Sequence, residues 1–374
     1  MPQEQGATLP EQGDIMFRRL ILGVTAGALA GTACKSSAAA ARRARRSQAR
    51  VRRNLLGRLI VLSVATVLLS SACSTGSGGG TTAAPPATPA AVATPPAATT
   101  SAAPTGAAAA TAKGECAKIP DIDPANFPAS PIVTNPYLPY IPGQQFVLSG
   151  TVTSGGHVHA HRIVSTTTDL TKVVDGVRVV VVYEVDLQKG VPQESELLFT
   201  AQDLTGSVWH VGEYPEVFKK GHLVGAPEAW LSGVGGAEAG VDMPPTPHVG
   251  DVTMQGYSPN LFWDCSRVEA VNRHRCVPTG CYKKVVLTNE WAPVAPNGGH
   301  QLKFSARGIG TITALPLGDP QPEVVRLTKA TCLSPAALAA IDEKALAQDE
   351  RGYRVAASVY SGSPPAKQTL SESC

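Results

Sequence analysis

From Ser74 to Ala112 there is no charge, no aromatic residue and no side chain larger than Val92; the rest of the stretch is Ala, Gly, Pro, Ser and Thr. So little apolar surface cannot offset the conformational entropy lost on ordering, and residues 73–114 are expected to remain an unfolded spacer. About forty flexible residues have an r.m.s. reach of roughly 35 Å. This stretch divides the 374-residue chain in two. A packed core can come only from about residue 115 onward.

Residues 1–72 read as a leader. Eight arginines crowd residues 42–58, an apolar run follows over 59–69, and then Ser70-Ser71-Ala72-Cys73. Basic, apolar and small residues in that order describe a secretory signal. Its apolar run is shorter than the roughly 20 residues that span a bilayer. Cys73 stands where the lipobox of bacterial lipoproteins places the cysteine that receives a diacylglyceryl group. Two or more acyl chains give lasting anchorage where one is marginal. The expected location is therefore the cell membrane, with the chain lipid-anchored through Cys73 and facing the extracytoplasmic side. Arg52-Arg53-Asn54-Leu55-Leu56 resembles a degraded twin-arginine signal, so both general export routes stay open. Cys34 fits a lipobox loosely but is followed by Lys35 and an arginine-rich run rather than a spacer. A start downstream of Met1 would account for the length of the leader.

Charge follows the same division. The chain has 32 Lys/Arg, 29 Asp/Glu and a net charge of +3, but residues 1–72 hold eleven of the bases and three of the acids. The remainder has a net charge of −5. A nucleic-acid-binding domain carries its basic stripe on the folded part, so nucleic acid is not an expected partner.

Residues 115–374 read as one mainly β domain, an antiparallel sheet forming an open barrel or sandwich with one C-terminal α-helix. Strands are expected over 145–152, 158–168, 177–187, 196–201, 207–213, 252–257, 283–290, 301–306 and 323–330. Asp175-Gly176 is a two-residue hairpin signal. Across it, paired positions should sum to 351. Val177, Val179, Val181, Tyr183, Val185 and Leu187 then share a face with Val158, Ala160 and Val164. Arg178, Glu184, Asp186 and Gln188 share the other with Ser165, Thr167 and Asp169. Ser334-Pro335 opens a helix over 335–350, with Leu338, Ile341 and Ala345 on its packed stripe and Asp342, Glu343 and Asp349 away from it. The tail after Gly362 is expected to be loose apart from any bond to Cys374.

Six cysteines remain beyond the anchor: Cys116, Cys265, Cys276, Cys281, Cys332 and Cys374. An even number in an exported chain implies disulfides. Cys276 and Cys281 bracket a tight turn through Pro278 and Gly280, and Cys116 would staple the domain ends by pairing with Cys332 or Cys374. C-x-x-C spacing, which a thiolate metal site favours, is absent.

His157-Val158-His159-Ala160-His161 is the one stretch with metal chemistry in view. Alternation puts all three imidazoles on one face, but His157 and His161 lie about 13 Å apart along a strand. Two neighbours plus a cross-strand ligand (Asp186, Glu184, Gln188 or His210) could hold zinc or copper. The competing reading is a solvated polar face; on that reading there is no cofactor. Acidic pairs such as Glu194 with Glu196, or Asp349 with Glu350, read as surface features. Gly233 to Gly240 reads as a loop, and no G-x-S-x-G, H-E-x-x-H or phosphate-loop motif occurs.

Several stretches together resemble a family of uncharacterised bacterial exported proteins and lipoproteins. They include Asn135-Pro136-Tyr137-Leu138-Pro139 with Pro142-Gly143, and Thr168 to Val177. Ala201-Gln202-Asp203 with Gly206-Ser207-Val208-Trp209, Glu290-Trp291-Ala292-Pro293 and Gly308-Ile309-Gly310 follow. The resemblance covers residues 120–330 and implies an exported lipoprotein, with no activity, cofactor or catalytic residue attached. The expectation is a membrane-anchored extracytoplasmic domain, leaning away from an enzyme, that binds a small ligand or an envelope protein. Metal binding and a role in envelope assembly or structure are the alternatives.

Overall fold

The structure is a computed structural model, and it describes residues 116, 121–370 and 374. The leader, the spacer, Cys34 and Cys73 lie outside the described residues. The strands are β1 (Gln144–Ser154), β2 (His157–Val174), β3 (Val177–Gln188), β4 (Val191–Gln202) and β5 (Val208–Lys219). β6 (His222–Gly225), β7 (Trp230–Leu231), β8 (Glu238–Met243), β9 (Val252–Ser258) and β10 (Phe262–Val277) follow. Then come β11 (Gly280–Trp291), β12 (His300–Ala306), β13 (Gly310–Leu317) and β14 (Glu323–Cys332). Two helices, α1 (Pro335–Val355) and α2 (Ala357–Tyr360), precede a last short strand, β15 (Lys367–Gln368).

Around the sheet the order is β1-β14-β13-β12-β11-β10-β9-β8-β5-β4-β3-β2, and β2 pairs again with β1. The mainly β, antiparallel expectation holds, and the barrel is closed rather than open or a sandwich. Closure leaves the wall without a free edge. The β2–β3 turn has Asp175 and Gly176 at φ 49° and 76°, the twist a two-residue hairpin requires. Pairs sum to 351 from Val174↔Val177 to Thr171↔Val180; above a shift between Thr167 and Thr171 they sum to 349. A shift of two keeps every side chain on its face.

Which face is the core is the larger surprise. Val179 and Val181 pack with Leu197, Phe199, Tyr214, Ala345 and Tyr360, so this face looks outward at the helices. Val180, Val182 and Leu198 instead meet Met243, Val268 and Val286, which belong to strands far round the ring. That contact is possible only through the lumen. The polar face of β3, with Glu184, Asp186 and Gln188, is therefore the inside of the barrel.

A segment over residues 133–142 closes the lower end, where Val133, Tyr137 and Tyr140 join the inner cluster. Backbone N–H groups of Thr134 and Asn135 donate to Gln202 Oε1 at 2.8 and 2.7 Å. Asn135 Nδ2 donates to the carbonyls of Gly206 and Pro244, and Gly308 N donates to Pro136 O. The plug is thus stitched to three lower turns.

Ser334 caps α1, accepting from Ala337 N, as its sequence signature predicts. The buried face of α1 is Leu338, Asp342, Ala345, Gln348, Asp349 and Gly352, which places Asp342 and Asp349 inward rather than outward. The polar partners below explain this. Lys172, on the outer face of β2 and 1% exposed, donates to Asp349 Oδ1 at 2.9 Å, Tyr353 Oη at 3.0 Å and Pro364 O at 2.8 Å. Gln348 exchanges hydrogen bonds with Ser195, and Arg351 grips Glu216 with two nitrogens. The tail is not loose: Ser363 Oγ donates to Val173 O, Ala366 N to Asp349 Oδ2, and β15 pairs with β2.

All six cysteines are paired. Cys276–Cys281 closes the β10–β11 tip as expected. Cys116 pairs with Cys265 in the barrel wall, and Cys332 pairs with Cys374, so no bond joins Cys116 to the C-terminal half of the pattern expected for it. Cys265 lies on the outer face of β10 opposite Trp291, a position the alternation of a strand missed in the sequence would have marked.

Candidate functional site

The densest chemistry lies inside the barrel. Glu184 faces Glu196 across the β3–β4 ladder, and Asp186 faces Glu194 one pair further up. All four are buried, so the Glu194/Glu196 pair is interior and not a surface feature. Directly opposed like charges repel, and burial removes the water that would screen them. Burial first, then Glu196, Asp186 and Glu194, holds the Glu184 carboxyl well above the usual carboxylate range, with a Ser165 hydrogen bond pulling the other way.

At the upper end of this wall stands His161, 2% exposed. Its Nε2 lies 2.9 Å from Glu323 Oε1 on β14, and its Nδ1 lies 3.5 Å from Asp186 Oδ1 on β3. Gly150 of β1 lies opposite His161 in the ladder. Each ring nitrogen of His161 thus faces a buried carboxyl, one on β14 and one on β3.

The expected metal residues therefore part company. His157 is exposed and His159 half-buried, their ring centroids 6.3 Å apart, while His161 turns into the lumen. Asp186 does reach His161. His210 instead faces Glu213, Nε2 to Oε2 3.9 Å, with its ring edge-on to Trp230. Among the described residues, one set of three possible ligands converges within 4.8 Å, namely His274, Cys276 and Cys281, and two of these are a disulfide.

A second acidic group lines the opposite wall. Lys303 Nζ sits 2.6 Å from Glu290 Oε2, and Gln255 Nε2 donates to Asp242 Oδ1 at 3.3 Å. Burial raises the Asp242 carboxyl well above its usual range, Glu290 adds to this, and Lys303 opposes it. Between these groups is a cavity of about 20 Å³, room for roughly one water. Tyr140 reaches up from the plug, its hydroxyl pushed well above the ordinary range by burial and then by Asp242, Glu184 and Glu196. The plug tyrosine is thus the element common to both acidic groups.

A larger hollow lies outside, at the lower end. It measures about 250 Å³ and is lined by residues 130–134 and 140–142 together with Thr369 and Leu370. Sequence reasoning missed Glu323, Lys303, Glu290, Asp242 and Tyr140. The usable signal was acids at every second position, Glu184-Val-Asp186 and Glu194-Ser-Glu196, which is strand alternation with the polar face turned in.

No protein-family model matches the chain. No curated protein matches it either. Two solved structures are similar in part. One is a protein described as exported, with a YmcC-like fold, from Bacteroides fragilis; it shows 12% identity over 53% of this chain and 99% of its own, with a TM-score of 0.33. The other, described as a lipoprotein from Parabacteroides distasonis, shows 7% identity over the same shares, with a TM-score of 0.23. At such scores neither likeness carries an argument about this chain.

Proposed function

We propose that this chain is a lipid-anchored extracytoplasmic protein whose barrel is a non-enzymatic binding domain. The observation that carries the reading is the pairing of all six domain cysteines into three disulfides. Such bonds persist outside the reducing cytosol, which agrees with export by the leader and anchorage at Cys73. The barrel wall itself is a poor candidate for insertion in lipid: Gln145, Ser149, Thr151, Arg326 and Thr328 lie on the outer face of the β1–β14 seam. The anchor and spacer, not the wall, then hold the protein to the membrane.

Within that reading the lower hollow is the place for a ligand or a short segment of an envelope protein. Pro131, Ile132, Ile141, Pro142 and Leu370 give it an apolar lining, with Ser130, Thr134 and Thr369 for orientation. The cavity of about 20 Å³ between Asp242, Glu290 and Lys303 is too small for such a guest. Mass spectrometry of the membrane-extracted protein tests the anchor: a diacylated Cys73 at the mature N-terminus supports it, and an unmodified Cys73 refutes it. Native mass spectrometry of Ile132→Arg beside the unaltered chain tests the hollow; a copurifying mass retained equally by both places the ligand elsewhere.

A further inference from the structure

The β10–β11 hairpin carries a run of exposed cations: Arg267, Arg273, Lys283 and Lys284 are exposed on it, Arg275 is partly so, and Arg326 of β14 stands beside Arg275. None of these six enters an ion pair among the described residues, whereas Lys172, Lys303 and Arg351 each hold a carboxylate. Glu269 is the one acid exposed on this pair of strands, and it is engaged by Asn289. The arm is rigid. Cys276–Cys281 closes its tip, Val277 and Val285 pack beneath it, and the Arg275 guanidinium lies 4.3 Å over the Phe304 ring. Two neighbouring guanidiniums without a carboxylate leave their donors turned to whatever anion approaches.

Cys116, which follows the spacer in the sequence, is bonded to Cys265 on the same pair of strands, and Arg267, two residues on along the same side of β10, lies over the Trp291 ring at 5.6 Å. We propose that this face rests on the anionic surface of the bilayer to which the chain is tethered, its guanidinium and ammonium groups taking lipid phosphates. Charge complementarity and the fixing of Cys116, which follows the spacer in the sequence, to β10 select the bilayer among possible anions. The proposal rests on the lipid-anchor reading, but the two can fail separately.

The test is lysine acylation footprinting of the full chain on vesicles. With about one third phosphatidylglycerol in phosphatidylcholine, labelling of Lys283 and Lys284 should fall about threefold or more relative to phosphatidylcholine alone. Roughly 0.5 M salt should restore it, while Lys344 on α1 and Lys220 at the β5–β6 tip stay unchanged. Lys283→Glu with Lys284→Glu, both at exposed positions, should abolish any lipid-dependent protection of the rest of the arm in hydrogen exchange. Flotation with neutral vesicles reads the tether alone. A chain that floats but shows no protection of Lys283 and Lys284 overturns the docking and leaves the anchor standing. Protection on anionic vesicles without flotation on neutral ones supports the face and refutes the anchor. Protection by soluble polyphosphate but not by vesicles assigns the face to a free polyanion and overturns the proposal.

Discussion

Glu184 shows how one residue can be read correctly and placed wrongly. Alternation put it on the same face as Asp186 and Ser165, and that face is real. What alternation could not supply is which side of the strand meets water, because both faces of β3 are covered, one by helices and one by the lumen. Its energetic signature should be visible in pH dependence. A carboxyl whose folded pKa stands above its ordinary value of 4.5 favours the fold fully below that pH, and the benefit is lost as pH rises through the folded value. Glu184→Gln should therefore raise the melting temperature at pH 8, by roughly 2–6 °C for on the order of 1–2 kcal/mol, and change little near pH 4. Differential scanning calorimetry at both pH values checks this; an equal shift at both would mean that repulsion is not the cause. The histidines give a second prediction. With both nitrogens of His161 facing carboxyls, His157→Ala with His159→Ala should leave the zinc and copper content of the purified chain unchanged, measured by plasma mass spectrometry. A stoichiometric metal lost in the double variant would decide for the metal reading.

At the scale of elements, α1 was the most readable piece and still the most misjudged in orientation. Its start was written in Ser334-Pro335, but it runs on through Gly352 to Val355, past the end expected at 350. The stripe of Leu338, Ala345 and Gly352 also contains Asp342 and Asp349, at spacings of three or four that put them on the same side. Apolar preference alone sends such acids outward; the partner that keeps Asp349 inside, Lys172, is 177 residues away in the chain. Among the described residues no cation pairs with Asp342. Burial first, and then Asp169, lifts its carboxyl to about 7. Docking of α1 should accordingly be firmest in acid and loosen as pH climbs through about 7. Hydrogen exchange of residues 335–355 at pH 5.5 and 8.5 should show faster exchange at the higher pH, and Asp342→Asn should remove the difference; persistence of the difference in that variant would place the switch elsewhere.

For the whole molecule the decisive fact is closure, and it was the least visible in the sequence. Strands β8, β10 and β13, which complete the ring, are interrupted by charges, bulges or glycines and lack a clean alternating run. The ring is sealed where β1 meets β14, and Gly150 makes that approach possible, since a Cβ there would fall on the Val324 carbonyl. Gly150→Ala should cost about 1–3 kcal/mol by overpacking the seam. A shallower loss, with unaltered protection of β1 and β14 in hydrogen exchange, would show that the seam yields easily. The interior that closure protects has its own consequence. Carboxyls such as those of Glu184 and Asp242 hold their protons to higher pH in the folded barrel than ordinary carboxyls do. Denaturation at a pH between the ordinary and the raised range should release them, so the heat absorbed will differ from buffer to buffer by the buffer's own ionisation enthalpy, and an unbuffered solution will turn acidic as the barrel comes apart.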